Sequence, residues 1–381
     1  MDFSFNEVQQ LFRDSVDRFV AEHYDFATRQ RIVAADGGYL PEHWQQFAEL
    51  GWLAVPFPEG YGGLDGTPLE TMIIMESFGR GLVASPYLSS VVVAGHILNR
   101  AATERQKQKL LPTLIDGSLR LTFAFAEPTS RFDLADVSTT ATKDGGGYRL
   151  NGHKCVVHYA NTADKVLVSA RTAGSQRDPM GVSLFLVDMG AAGLSARHYP
   201  TIDGQRAADI TFHHVRVDAD DLIGDGDHAL TLIDEACDHG IAAICAEAVG
   251  AMSALYDMTL EYIKTRQQFG KTLGSFQALQ HRMVDVFMAC ELSRSMVYAT
   301  TCKLTESTAE RQRTASAAKV QIGKAGRLVG QEAIQLHGGM GMTDELPIGH
   351  YFKRLTAINT TFGDISYHMT RFRRTANYSS L

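Results

Sequence analysis

The sequence is poor in the residues and patterns that mark several large classes of protein. Among its 381 residues are five cysteines, and no two of them form a Cys-x-x-Cys pair. This scarcity disfavours both a disulfide framework and a structural zinc site, so no metal site is predicted. Buried, reduced thiols are expected at Cys155, Cys237, Cys245, Cys290 and Cys302.

Positive charge is also scarce, and no basic block interrupts the chain. Lys and Arg total 36 against 43 Asp and Glu, which gives a net charge of −7. Nucleic acid is therefore not expected as a partner, because proteins that bind it concentrate basic residues on one surface. The start of the chain, MDFSFNEVQQ, lacks a signal-peptide pattern, and no apolar run is expected to span a membrane. We therefore expect a cytoplasmic protein.

The patterns that are present divide the chain into three regions. Residues 1–120 carry apolar side chains at helical spacing, which predicts an N-terminal α-helical domain. Short alternating segments over 121–226, separated by turn residues, predict a middle β-barrel or sandwich domain rather than a parallel sheet. Long periodic segments over 227–381 predict a C-terminal four-helix bundle. The fold class expected is multi-domain α+β.

Two glycine-containing segments stand out in the last region. Arg266–Gln280 reads RQQFGKTLGSFQALQ, and Gln335–Gly341 reads QLHGGMG at the end of a long helical pattern. A helix that stops on a glycine pair carries a C-cap signal. Closely spaced glycines also let backbone N–H groups approach a ligand. For either segment taken alone, a simple turn between helices is the alternative.

Together with the order of the three regions, these segments make the whole chain resemble the acyl-CoA dehydrogenase family. The resemblance rests on Arg266, Phe269–Gly270 and Phe276–Gln277, followed by QLHGGMG. It implies an FAD bound between subunits and the α,β-dehydrogenation of an acyl-CoA thioester. It also implies a homo- or hetero-tetramer and an electron-transfer flavoprotein or similar acceptor.

The resemblance assigns the adenosine diphosphate half of FAD to residues of both segments. They are Arg266, Phe269, Gln277, Gln335, Gly338, Gly339 and Gly341. A guanidinium suits a pyrophosphate because its N–H groups form a bidentate pair of hydrogen bonds. Glycine N–H groups add donors that no Cβ obstructs.

Other positions depart from the family pattern. Phe362 stands where the family's Y-E-G-T segment carries the catalytic Glu, and Gly240 stands where a subset of the family carries its base. The flavin-contacting segments read Ala126–Arg131 and Val156–His158, without the usual Thr and Trp. This combination resembles the small subunit of pimeloyl-CoA dehydrogenase and the second subunits of heterotetrameric enzymes, and implies fatty acid or steroid side-chain catabolism.

Glu247 is the candidate catalytic residue. It follows Gly240 by about two helical turns and therefore shares that helix face. In the apolar run Ile241–Gly250, a carboxylate has either a raised pKa, as a general base needs, or a partner. The alternative is a structural ion pair with Arg282 or a bundle lysine. Asp364 is a second candidate base, with an N-cap as its alternative.

Three functions stay open at this point. The leading hypothesis is an acyl-CoA dehydrogenase subunit that contributes the adenosine diphosphate site within a dimer of dimers. The second is a homo-oligomeric flavoenzyme of the same fold that uses Glu247, and the third is a non-catalytic, flavin-free structural subunit. His158 and His337 are weaker candidates for contact with the flavin or its phosphates, with surface or turn histidines as the alternative.

Overall fold

The computed structural model describes residues 5–375, and every structural statement below refers to them. The helices are α1 (Glu7–His23), α2 (Phe26–Ala34), α3 (Pro41–Glu49), α4 (Pro68–Gly81), α5 (His96–Ala101), α6 (Glu104–Ile115), α7 (Leu230–Thr265), α8 (Gln277–Cys302), α9 (Thr308–His337), α10 (Ile348–Thr360) and α11 (Ile365–Thr375). A π-helical segment, Leu88–Gly95, runs directly into α5.

The strands occupy the middle of the chain, apart from one short hairpin. They are β1 (Leu121–Ala124), β2 (Thr140–Asp144), β3 (Gly147–His158), β4 (Lys165–Arg171), β5 (Val182–Asp188), β6 (Leu194–Pro200), β7 (Arg206–Asp218), β8 (Leu222–Ile223), β9 (Gln267–Gln268) and β10 (Lys271–Thr272). The main sheet has the order β6-β7-β3-β2-β4-β5-β8, and β1 pairs with β4. β9 and β10 pair only with each other.

The described chain forms two compact units. The bundle unit comprises Met1–Gln30, Pro68–Val83 and Ile241–Leu381, and the β unit comprises Arg31–Thr67 and Ala84–Gly240. Within the bundle unit, α9 packs against α8, α10 and α11, and α1 packs against α4.

The β unit is organised by the main sheet. Its core is formed by buried apolar residues from several strands, among them Leu150, Val168, Phe185 and Ile210. Most strand pairs are antiparallel, but β1 and β4 run parallel, with Leu121 opposite Lys165. Thr140 on β2 also pairs in parallel with Arg171 on β4, so the sheet is mixed rather than wholly parallel. β1 is not joined to β4 by a hairpin turn, so no turn forces the two strands into opposite directions.

The long helices agree closely with the sequence expectation because each carries a sustained apolar periodicity. Two local features were not expected. Helix α2 follows α1 after a break at Tyr24 and Asp25. The segment expected as one helix near 87–101 instead begins with a π-helical stretch, Leu88–Gly95. The spacing of apolar residues does not separate i→i+5 from i→i+4 hydrogen bonding over so few residues.

Among the described residues, α7 alone is long and apolar enough to cross a membrane. However, 83% of its most apolar window is buried inside the protein, as in the core helix of a soluble protein.

Candidate functional site

The segment after α7 forms a tight hairpin that presents an aromatic ring to solvent. In the β9–β10 pair, Gln267 lies opposite Thr272, and Phe269 and Gly270 make the turn with φ of +54° and +78°. Positive φ at both central positions is the type I′ pattern that suits a two-residue hairpin. Phe269 is 88% exposed, so its strained backbone is not offset by burial within this chain. Strain of this kind points to contact with another molecule.

Arg266 and Gln277 flank this hairpin, and both side chains are exposed. The Arg266 backbone is fixed, since its N–H donates to the Tyr262 carbonyl at 2.8 Å and its carbonyl accepts from Leu273 N–H at 2.9 Å. Within residues 5–375 no carboxylate pairs with its guanidinium. Arg266 therefore offers an uncompensated positive charge on a fixed backbone, which suits the binding of a pyrophosphate.

The glycine segment after α9 has an open face. Gly338 has φ +62° and ψ −141°, and its N–H donates to the Gln335 carbonyl. A Cβ at Gly338 or Gly339 would meet no other atom within 4 Å, whereas a Cβ at Gly341 would lie 2.8 Å from the Ile334 carbonyl oxygen. The positive φ of Gly338 accounts for a glycine at that position, and the close contact with Ile334 accounts for a glycine at position 341. Gly339 leaves a space that a ligand can approach.

Both segments lie at the same end of the bundle unit. Ile263, Met283 and Leu336 form a buried apolar cluster that joins α7, α8 and α9. Leu273, which follows the hairpin, packs against this cluster. The fold thus brings together the two segments that carry the predicted adenosine diphosphate residues.

His337 does not point towards the open face. Its ring is buried and stacks on Tyr262 with centroids 4.2 Å apart, and its Nδ1–H donates to the Ala333 carbonyl at 2.8 Å. Burial lowers the pKa of His337 below its usual value, which favours the neutral ring. These contacts fit a residue that holds the end of α9 in place rather than one that offers charge to a phosphate.

In the β unit, a buried ion pair joins Glu127, in the first segment that the resemblance assigns to the flavin, to Lys154 on β3, just before the second segment. Lys154 Nζ lies 2.7 Å from Glu127 Oε1 and 3.0 Å from the Ser169 hydroxyl, and neither charged side chain is exposed. Backbone N–H groups of Ser138 and Thr139 donate to the same carboxylate at 2.8 and 3.0 Å.

This environment shifts both pKa values. Burial by itself would raise the pKa of Glu127, but the charge of Lys154 and the hydrogen bonds outweigh it and lower that pKa to about 2. Burial lowers the pKa of Lys154 to about 8, against the opposing effect of Glu127. The pair fixes the loop after β1 against β3, because separating the two residues would leave each buried charge without its counter-charge.

A cavity of about 570 Å³ lies next to these segments in the β unit. Its lining residues are Pro128, His153, Cys155, Val156, Arg197, His198, Tyr199 and Asp209. Asp209 accepts hydrogen bonds from Arg197 at 2.7 Å, from the Tyr199 hydroxyl at 2.8 Å and from Val156 N–H at 3.2 Å. Val156 has φ +52° and is 49% exposed. The position that the resemblance assigns to a Trp is therefore occupied by a half-exposed aliphatic side chain.

Glu247 is bound on both carboxylate oxygens by one arginine. The Nε and Nη2 atoms of Arg354, on α10, each lie 2.6 Å from a Glu247 oxygen, and both residues are buried. This is the ion pair weighed as the alternative, although Arg354 is the partner; Arg282 instead pairs with Glu332 at 2.5 Å. The contacts favour a structural role, and the assignment of Glu247 as the base stays a prediction.

Two glycines allow the α4–α7 crossing next to Glu247. A Cβ on Gly79 would overlap the Glu247 carbonyl oxygen, and a Cβ on Gly250 would overlap the carbonyl oxygen of Glu76. The two backbones therefore touch directly, and the helices can approach this closely only because both positions lack a side chain. The crossing therefore fixes the position of the Glu247 backbone against α4.

Neither position where the family carries its base presents a carboxylate. Gly240 is buried within α7, and Phe362 lies in the loop between α10 and α11 with φ +58°. Asp364 accepts the Tyr367 N–H at 2.8 Å, which makes it the N-cap of α11. That contact corresponds to the alternative weighed for Asp364.

A buried lysine and histidine fix the loop that carries Phe362. Lys319 Nζ donates to the carbonyls of Ile358 at 2.5 Å and Thr361 at 2.8 Å, and burial lowers its pKa to about 8. His368 Nε2–H donates to the Phe362 carbonyl at 3.0 Å, and burial lowers the His368 pKa to about 3. Sequence reasoning missed both residues; the only signal was a lysine among small residues in SAAKVQIGKAG.

Comparison with protein families covers almost the whole chain. The acyl-CoA dehydrogenase N-terminal domain model matches residues 6–118, the middle domain model matches 122–218 and the C-terminal domain model matches 230–376. These matches confirm the expected architecture of helical, β-rich and helical parts.

Individual proteins give the same result. The chain is 31% identical over 350 residues to a probable acyl-CoA dehydrogenase, YngJ, of Bacillus subtilis, covering 91% of each chain. It resembles the structure titled Tcur3481–Tcur3483 steroid ACAD G363A variant, with TM-score 0.87, 29% identity and 97% of each chain covered. It also resembles the ChsE4–ChsE5 complex from Mycobacterium tuberculosis, with TM-score 0.90, 25% identity and full coverage of both chains.

Proposed function

Because this chain belongs to the acyl-CoA dehydrogenase family, we propose that it is one subunit of an FAD-dependent acyl-CoA dehydrogenase that contributes the adenosine diphosphate site for the cofactor. Members of this family are FAD-dependent oxidoreductases, so family membership confirms the predicted enzyme class and cofactor. When bound, the flavin supplies the redox step, and the protein supplies binding and orientation.

The observation that carries the proposal is the exposed donor set at one end of the bundle unit. The Arg266 backbone is anchored, and its exposed guanidinium has no carboxylate partner within residues 5–375. Phe269 is held in a strained, exposed conformation beside it, and the backbone at Gly339 is open to close approach. An anionic ligand with an aromatic ring, such as an adenosine diphosphate group, satisfies all three. Gln277 and Gln335 add exposed amides for ribose or phosphate oxygens.

A partner chain is proposed to supply the proton acceptor. Phe362 and Gly240 have no titratable group, and both oxygens of Glu247 are taken by Arg354. A base must reach a substrate proton, directly or through one water, at hydrogen-bond distance. The described part of this chain presents no carboxylate for that role at either family position.

Exposed apolar residues on α8 support an oligomer. Val284, Met288 and Leu292 recur every fourth residue and are 54%, 49% and 61% exposed, and Phe287 beside them is 48% exposed. Residues at this spacing form one stripe on a helix, and a stripe of large apolar side chains favours burial against another chain. We propose a tetramer, as a dimer of dimers with a related subunit. We further propose an acyl-CoA substrate, an electron-transfer flavoprotein or similar acceptor, a cytoplasmic location, and domain boundaries at 120/121 and 226/227.

The alternative is a structural subunit of the same fold without flavin. Val156 in the place of the Trp, together with the absence of both family bases, favours it over an independent homo-oligomeric enzyme. The two functions differ in whether the Arg266 end of the bundle unit binds a nucleotide.

The visible absorption spectrum of the purified protein separates these functions. The proposal predicts little flavin in the chain expressed alone, and stoichiometric flavin with acyl-CoA-dependent dye reduction when a family partner is co-expressed. A flavin-loaded, active chain without any partner would contradict the need for a partner. A complex that forms with the partner but contains no flavin would support the structural subunit.

Arg266→Ala tests the cofactor site itself. In the flavin-containing complex we expect FAD to dissociate at least about tenfold more readily, because the variant loses a charge-assisted bidentate contact. Lys264→Ala removes another exposed positive charge two residues away and serves as the control. Unchanged flavin content in Arg266→Ala, or equal loss in both variants, would contradict the assignment.

A further inference from the structure

Three metal-ligating side chains meet in the β unit, outside the segments discussed above. His96 begins α5, and Glu235 and His239 lie one turn apart on α7. One ligand atom from each residue lies within 4.8 Å of the other two, and all three residues are partly buried. We propose that His96, Glu235 and His239 bind a divalent transition-metal ion, with Zn²⁺ as the best fit.

The donor set matches open zinc sites. Two imidazole nitrogens and one carboxylate oxygen leave the fourth tetrahedral position to water. The i, i+4 spacing places Glu235 and His239 on one face of α7, and His96 approaches that face from α5. His96 Nε2 lies 3.1 Å from Glu235 Oε1. Ligand atoms around a tetrahedral Zn²⁺ are about 3.3 Å apart, so this pair already has the required separation.

The two imidazoles also have a compatible arrangement. The rings of His96 and His239 lie with centroids 4.0 Å apart and planes tilted by 30°. One nitrogen of each ring belongs to the group of ligand atoms that lie within 4.8 Å of one another, so both rings can offer a nitrogen to one ion. No two of the three ligand atoms are more than 4.8 Å apart. Side-chain rotation of roughly 1.5 Å closes that distance to tetrahedral contact.

The backbone before His96 provides a second, independent observation. The eight residues Leu88–Gly95 are π-helical and run directly into α5. π-helical turns have poorer hydrogen-bond geometry than α-helical turns and occur frequently at functional sites. The wider turn also changes the direction in which the following side chains project, and here His96 projects towards α7.

Arg100 is the group that opposes a cation here. Its Nε lies 3.1 Å from the Glu235 Oε1 that His96 also contacts, and the Arg100 side chain is 59% exposed. An arginine this exposed can move into solvent when an ion takes its place. Asp234 and Asp238 lie beside the ligands on α7 and add negative charge to the same region. Removing Arg100 should therefore strengthen metal binding.

A bound ion would connect α5 to α7 within the β unit. Binding to the folded state alone raises stability with metal concentration, by RT ln(1 + [L]/Kd). The inference is independent of the proposed cofactor site, which lies in the bundle unit. Sequence reasoning predicted no metal because it relied on short cysteine and histidine spacings, and His96 is far from the α7 ligands in the chain.

Titration of the metal-stripped full-length protein with Co²⁺ tests the proposal, because tetrahedral Co²⁺ has strong visible d–d absorption. We expect one tetrahedral site per chain and a higher melting temperature with Zn²⁺. His239→Asn should weaken binding at least about tenfold through loss of a ligand, and Arg100→Gln should strengthen it. His213→Asn is the matched control, since His213 and His214 also form an exposed histidine pair, at 4.6 Å.

The outcomes are distinct. Tetrahedral absorption that His239→Asn loses and His213→Asn retains supports the site. Only weak, octahedral Co²⁺ absorption in the unsubstituted protein overturns the proposal, as does equal loss in the two histidine variants. If His239→Asn does not fold, Arg100→Gln decides: unchanged or weaker Co²⁺ affinity in that variant contradicts the role of Glu235 as a ligand.

Discussion

Replacing Arg354 by Met separates a structural from a catalytic role for Glu247. Arg354 holds both oxygens of Glu247 at 2.6 Å, and the two side chains are only 7% and 4% exposed. Arg354→Met keeps much of the side-chain volume but leaves a buried carboxylate without its partner. Breaking a buried ion pair from one side costs about 3–5 kcal/mol.

That cost is large enough to measure by thermal unfolding. For a chain of this size, each kcal/mol lowers the melting temperature by about 2 °C, so we expect a fall of about 6–10 °C. Glu247→Leu combined with Arg354→Met should recover most of the loss, because replacing a whole buried pair by apolar residues is often neutral. Arg282→Met breaks the more exposed pair with Glu332 and should cost less than about 1 kcal/mol.

Glu247→Gln tests directly whether Glu247 acts as the catalytic base. If the residue is structural, this variant should lose stability and retain acyl-CoA-dependent flavin reduction in the assembled complex. A melting temperature within about 2 °C of the parent for Arg354→Met would refute the buried-pair reasoning. Loss of flavin reduction in Glu247→Gln at unchanged melting temperature would identify Glu247 as the base.

Two further predictions concern the pair in the β unit and the α4–α7 crossing. Glu127 has a folded-state pKa of about 2, below its usual value of 4.5, so the stability it contributes is complete above about pH 4.5 and is lost as the pH falls towards 2. Tryptophan fluorescence should follow this loss, because Trp44 and Trp52 both lie in the β unit. Lys154→Met should diminish the acid-dependent loss, because without Lys154 the folded-state pKa of Glu127 is no longer held so far below its unfolded value. An unchanged acid dependence would contradict the pair. Gly79→Ala should lower the free energy of unfolding by about 1–3 kcal/mol, measured by thermal unfolding, because the added Cβ overlaps the α7 backbone. Gly60→Ala is the control and should cost little, because a Cβ at Gly60 meets no other atom within 4 Å. Equal effects of the two substitutions would contradict the close crossing.

The sequence alone was sufficient to predict the order of the helical, β-rich and helical parts and the long helices; its assignment of two segments to a nucleotide stays a prediction. These features depend on local signals: apolar periodicity places α7 to α10, and a glycine pair marks the end of α9. The resemblance to the family rested on residues with fixed spacing, so it could be recognised without coordinates. The resemblance also predicts that Phe362 and Gly240 stand where the family carries its bases.

Only the tertiary structure decided which charged groups are paired. Glu247 lies 107 residues from Arg354, and Glu235 lies 139 residues from His96. No periodicity or spacing encodes such contacts, because they depend on how separate helices pack and on which side chains the packing removes from water. The packing buries Glu247 in an ion pair with Arg354. It leaves Arg266 exposed, without a carboxylate partner among the described residues.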